Sequence, residues 1–128
     1  MKVLIDTCTF IWFVTDAPEL SANARAAIIN PENEVYFSSI SAWEISRKYA
    51  RGKLALPSRP ETLIPEVRRN SGIASLPLIE DDAVAAEKLP PHHNDPFDRM
   101  LIAQALMNGM ILVSPDEAFH PYPVRLLW

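Results

Sequence analysis

The feature that most constrains this chain is a series of short, uninterrupted apolar runs set between helix-like segments. Val3 to Ile5 read VLI, Val35 to Ser38 read VYFS, and Ile111 to Val113 read ILV. None is a simple alternation of apolar and polar residues. Each therefore suits a strand buried on both faces, and such strands belong to parallel sheets covered by helices. The first run ends abruptly on an acid, Asp6. An ionised carboxylate at the end of a buried strand is costly unless hydrogen bonds or positive charge meet it. Asp6 can simply cap the turn or helix that follows. Whether it does more depends on whether other acids arrive at the same place.

The segments between the runs carry helix punctuation. Ser21 is an N-cap for a helix from Ala22 to Ile29, ended by Pro31. Ser41 and Glu44 form an S-x-x-E capping box that opens a helix closing near Gly52. PSRPETLIPEVRRN runs from loop into a short helix, followed by a brief strand at Ile73 to Leu76 and a helix from Asp81 to Lys88 that Pro90 and Pro91 stop. NDPFDRMLIAQALMNG is the best-punctuated helix, with Asp95 at N-cap, Pro96 at N1 and Gly109 just past its end. It is apolar nearly all round and is expected to be buried. Val124 to Leu127 is an edge strand. This alternation predicts an α/β fold with a central, mostly parallel sheet flanked by helices.

The 128 residues fit one domain, 1–128, and a chain of this size buries roughly two-thirds of its unfolded surface on folding. Cys8 is the only cysteine, which allows no internal disulfide and makes a reducing cytoplasm the natural setting. Cys8 itself reads as a small buried hydrophobe. The apolar run after Lys2 is too short for a secretory signal, and no stretch approaches membrane-spanning length. The expectation is a cytoplasmic protein with no membrane association. The three glycines stand in neither GxGxxG nor GxxxxGK spacing, which weighs against dinucleotide and P-loop sites.

In open parallel sheets, ligands bind beyond the carboxyl ends of the strands. Asp6 follows the first strand, Asp116 follows ILVS, Glu44 lies in the first turn after VYFSS, and Asp98 lies in the first turn of the DPF helix. All four map to one sheet edge, although Glu44 and Asp98 could each serve a capping box and the helix dipole alone. Carboxylates crowded in one crevice repel one another, and a divalent cation removes that cost. Oxygen-only ligation suits Mg²⁺ or Mn²⁺ rather than zinc. The reaction class that follows is metal-dependent phosphodiester hydrolysis.

The net charge of −4 hides a basic segment, Arg47 to Arg69, with seven basic residues against two acids. Glu44, Lys48 and Arg51 stand at i, i+4 and i+7 on one helix face with Arg47 adjacent, whereas Ala42, Ile45 and Tyr49 fall on another face and suit the core. A basic ridge leading from an acidic site would hold a nucleic-acid backbone. The same charges could also just solvate a helix face or support it through i,i+4 pairs.

The pieces LIDTCTFIW, SSISAWEISRKYARGKLALP, LPPHHNDPFDRMLIAQA and ILVSPDEAFHPYPV together resemble a PIN-domain ribonuclease of the VapC type, the toxin half of a bacterial toxin–antitoxin pair. They span nearly the full chain in the family's order. The resemblance implies a small PIN-like α/β fold, Mg²⁺-dependent cleavage of RNA, and silencing by a VapB-like antitoxin. It matches Asp6 and Asp98 to the family's principal metal ligands and Glu44 to the acid of its WEI motif. Asp116 falls on a fourth, more variable acidic position. A homodimer, formed through the early helices, is implied too. Cys8 stands where many relatives carry His or Ser, and Asn94 replaces a frequent Arg.

Two other readings stay open. One is a catalytically silent PIN-like module that binds RNA or a partner protein. The other is a hydrolase using His92, His93 or His120 with a serine, which lacks a GxSxG elbow. Paired histidines beside prolines suit a solvated turn, although His93, two residues before Asp95, could reach the acidic crevice. Trp12, Trp43 and Trp128 are read as core or dimer-interface residues, with no spacing that supports base stacking.

Overall fold

The computed structural model describes residues 1–128. Five strands, β1 (Lys2–Ile5), β2 (Glu34–Ser38), β3 (Ile73–Leu76), β4 (Ile111–Val113) and β5 (Leu126–Leu127), form one sheet in the order β3-β2-β1-β4-β5. Every neighbouring pair is parallel. The helices are α1 (Thr7–Thr15), α2 (Ala22–Ile29), α3 (Ser39–Ala50), α4 (Pro60–Ser71), α5 (Glu80–Glu87) and α6 (Pro96–Asn108), with a 3-10 turn at Glu117–Phe119. None is long and apolar enough to cross a membrane.

The uninterrupted apolar runs are explained by burial on both faces. Val3 and Ile5 enter one cluster with Phe10, Phe37, Ile45 and Val113, and Leu4 between them enters the other with Leu101, Ile102, Leu112 and Phe119. Phe10 and Phe37 stack with ring centroids 4.0 Å apart. The chain moves outward from β1 through β2 to β3, then returns to place β4 on the other side of β1. That reversal leaves a crevice beyond the carboxyl ends of β1 and β4.

Several local expectations are corrected. Helix α1 had no sequence signal beyond Asp6, because TCTFIW is β-branched and aromatic; Asp6 caps it, and Thr9 Oγ1 ties it to Val113 O at 3.1 Å. The S-x-x-E box at Ser41 is not the start of α3. Ser38 is the N-cap, its Oγ accepting from Ile40 N, so Glu44 falls in the second turn, and Ser41 is buried with its hydroxyl unpartnered. Segment α4 is a full three-turn helix rather than a short one, and β5 is confined to Leu126–Leu127. Tyr49 is exposed rather than in the core, and α6 is buried only over Leu101–Ala105, with Leu106 and Met107 open to solvent.

Candidate active site

The crevice at the sheet's reversal has a volume of about 170 Å³ and is lined by five carboxylates, Asp6, Glu44, Asp95, Asp98 and Asp116, together with Lys48. Asp6 follows directly from the end of β1, Asp116 stands three residues past the end of β4, and Asp95 and Asp98 belong to the start of α6. Glu44 and Lys48 project from successive turns of α3. The sequence-predicted acids are therefore brought together, and Asp95, read from sequence only as a cap, joins them.

Three of the acids also cap helices. Asp6 accepts from Thr9 N at 2.9 Å, and Asp116 from Ala118 N at 2.9 Å. Asp95 accepts from Phe97 N at 2.9 Å and Asp98 N at 3.2 Å. Capping and lining are not competing roles here. The positive end of a helix lowers the cost of holding a carboxylate at the crevice floor.

That cost is still visible. Burial pushes the Asp6 carboxyl above the ordinary carboxylate range, with hydrogen bonds from Ser114, Thr9 and Cys8 working the other way. Asp98 is held up at about 6, chiefly by burial; its bond to His93 lowers it, and the charges of Asp95 and Glu44 raise it further. Glu44 is better provided for. The Thr7 hydroxyl donates to Oε1 at 2.6 Å, and Lys48 Nζ lies 3.4 Å from Oε2.

Cys8 is corrected from a buried hydrophobe to a partly exposed residue on the crevice wall, its thiol 3.4 Å from both Asp6 oxygens. Burial, then the Asp6 and Asp116 charges, raise the thiol strongly, so it stays a protonated donor and not a thiolate nucleophile. Sequence reasoning also missed Arg99. Its guanidinium donates to the carbonyls of Ala86, Leu89, Pro90 and His93, which fixes the loop between α5 and α6. That loop presents His93, whose Nε2 lies 2.8 Å from Asp98 Oδ2.

A larger cavity of about 510 Å³ between α5, α6 and this loop has Glu87 as its one acid. Its other ionisable groups are His93 and Arg99, so it lacks the cluster of acids that marks the smaller crevice. Of the predicted basic ridge, only Lys48 lines the crevice. Arg47 lies over the Trp43 ring, 5.3 Å from its centroid, and Arg51 is exposed at the C-cap of α3.

The residues fit a hard divalent cation by donor type and charge: all five acids offer oxygen, and two are raised in the way that crowded or buried anions are. No three His, Cys, Asp or Glu side chains stand close enough together in this structure to hold one.

Comparison with known proteins adds the family. Residues 3–124 match the PIN domain. Ribonuclease VapC22 of Mycobacterium tuberculosis is 30% identical over 132 residues, covering 97% of each chain. Ribonuclease VapC16 of the same organism is 35% identical over 75 residues, 56% of this chain and about half (52%) of that relative's length. Among solved structures, VapBC2 from Rickettsia felis, bound to a DNA fragment from their promoter, aligns with a TM-score of 0.74 over 99% of this chain and 98% of that one. At 14% identity that likeness is one of fold.

Proposed function

The chain belongs to the PIN-domain family, in its VapC type, and from that premise we propose that it is an endoribonuclease toxin that hydrolyses RNA phosphodiester bonds with Mg²⁺ or Mn²⁺. What supports the reading most is the convergence of Asp6, Glu44, Asp98 and Asp116 on one crevice at the sheet's reversal. Asp6 and Asp98, with Glu44 and Asp116 beside them, would hold the cation. Bound there, it would neutralise the phosphate and acidify an attacking water.

The chain's own groups supply the rest. Glu44 Oε1, oriented by the Thr7 hydroxyl, accepts a proton from water entering the crevice. Lys48 Nζ meets a phosphate oxygen, and Arg47 and Arg51 extend the positive charge along α3 for the rest of the backbone. His93 Nε2, fixed by the Arg99-clamped loop, shares a proton with Asp98 Oδ2.

The setting is a cytoplasm in which a VapB-like antitoxin covers the acids and a second copy of the chain completes a homodimer. Cleavage of single-stranded RNA by metal-stripped protein, with and without added Mg²⁺, tests the activity. Mn²⁺ binding followed calorimetrically separates an enzyme from a silent PIN-like module, which would bind RNA without turning it over.

A further inference from the structure

Helices α3 and α6 each place an acid of the crevice next in the chain to an aromatic residue. The acids are Glu44 on α3 and Asp98 on α6. Trp43 on α3 packs against Phe97 on α6, with ring centroids 5.1 Å apart at 52°. Arg47, one turn beyond Trp43, places its guanidinium 5.3 Å from the indole centroid. Trp43 nonetheless remains 53% exposed. A large indole held in place by a second ring and by a cation, yet open to solvent, has not been placed there to fill a core.

We propose that Trp43, braced by Phe97 and flanked by Arg47, is a stacking platform for an unpaired nucleobase of the RNA, next to the phosphate presented to the acids. The inference rests on the ribonuclease reading above and adds a base subsite to it. The occupant follows from the chemistry of the patch. An aromatic face takes any base, and the Arg47 guanidinium, which lies over the indole, would swing to the phosphate that the base carries. Trp43 and Glu44 are chain neighbours on α3, as Phe97 and Asp98 are on α6, so the platform stands beside the acidic crevice. Duplex RNA offers no free base face, so the platform selects single strands.

The test uses the full chain and fluorescence anisotropy of a labelled hexauridylate, compared with an abasic ribose-phosphate strand of equal length. Asp98→Asn serves as background to suppress turnover. The platform predicts that the strand with bases binds on the order of tenfold more tightly than the abasic one. Trp43→Leu should remove that difference, and Trp43→Phe, which keeps a ring, should retain most of it. With Trp12→Phe and Trp128→Phe leaving Trp43 as sole reporter, its fluorescence should be quenched by the strand with bases and not by the abasic strand. Equal affinity for both strands, or a difference that survives in Trp43→Leu, overturns the proposal. A concentration-dependent change in Trp43 fluorescence without RNA, and none on adding it, would assign the face to a second copy of the chain and overturn it too. These are binding measurements, so failure of the platform is distinct from failure of the ribonuclease reading, which shows as absent metal-dependent cleavage.

Discussion

Asp98 and His93 form the closest pairing of a crevice acid with a basic side chain: Nε2 to Oδ2 is 2.8 Å, and both side chains are largely shielded, at 24% and 22% exposure for His93 and Asp98. The pairing does not offset burial, since the Asp98 carboxyl still stands at about 6. The folded protein therefore keeps a proton on Asp98 that the unfolded chain has already released. The stabilisation this gives is complete below the ordinary value near 3.8 and is lost as the pH rises through about 6. Metal-free protein should lose on the order of 3 kcal/mol across that interval. Thermal melts in chelator check it, and Asp98→Asn should flatten the profile and raise the neutral-pH Tm.

Divalent cation should act with the opposite pH dependence. Ligands must be deprotonated to bind it, so the rise in Tm on adding Mn²⁺ should be small well below pH 6 and large above it. Differential scanning fluorimetry at two pH values measures this; an equal rise at both would place the cation elsewhere.

Asp95 and Asp98 should separate in mutagenesis despite standing in one DPFD stretch. Oδ1 of Asp95 is committed to two backbone N–H groups, so Asp95→Ala should cost about 1 kcal/mol of stability and spare most of the turnover. Asp98→Asn should keep or raise the Tm while cutting RNA cleavage by on the order of 10²-fold or more.

Arg99 should prove a stability residue for the loop that carries His93. Its planar fork satisfies several carbonyls at once, a task one ammonium cannot perform. Arg99→Lys should cost on the order of 2 kcal/mol, and amide exchange should accelerate across residues 89–94. Unchanged exchange there would mean that the loop is held by its prolines.

Lys48→Ala should barely alter stability, because its pairing with Glu44 is half exposed and such i,i+4 pairs contribute only about 0.3–0.5 kcal/mol. It should weaken RNA binding and lower the slope of log affinity against log salt by about 1. An unchanged slope would reduce Lys48 to support for α3.

The sheet and the convergence of acids were legible in the sequence because both follow from position along the chain. Runs buried on both faces name parallel strands, and residues just beyond such strands must share an edge. Helix α1 was not legible, since its Thr, Phe and Trp residues favour strand locally, and the contacts that hold the helix, Phe10 on Phe37 and Thr9 on Val113, are made across the fold. The same limit hid the start of α3. Ser38 and Ser41 are both competent caps, and the choice fell to Ser38, whose Oγ also donates to buried Gln104 at 2.6 Å across the fold. His93, Cys8 and Trp43 acquire their settings from contacts that spacing alone does not encode. An exposed tryptophan beside an acid looks the same in sequence as a buried one.

The most direct test of the account is single-stranded RNA cleavage by metal-stripped protein, read on a gel with and without Mg²⁺, for wild type and Asp98→Asn side by side. The account predicts no cleavage in chelator, cleavage restored by Mg²⁺ or Mn²⁺ in wild type, and at least about 10²-fold slower cleavage in Asp98→Asn. Full cleavage in chelator, or an Asp98→Asn protein as active as wild type, would contradict it.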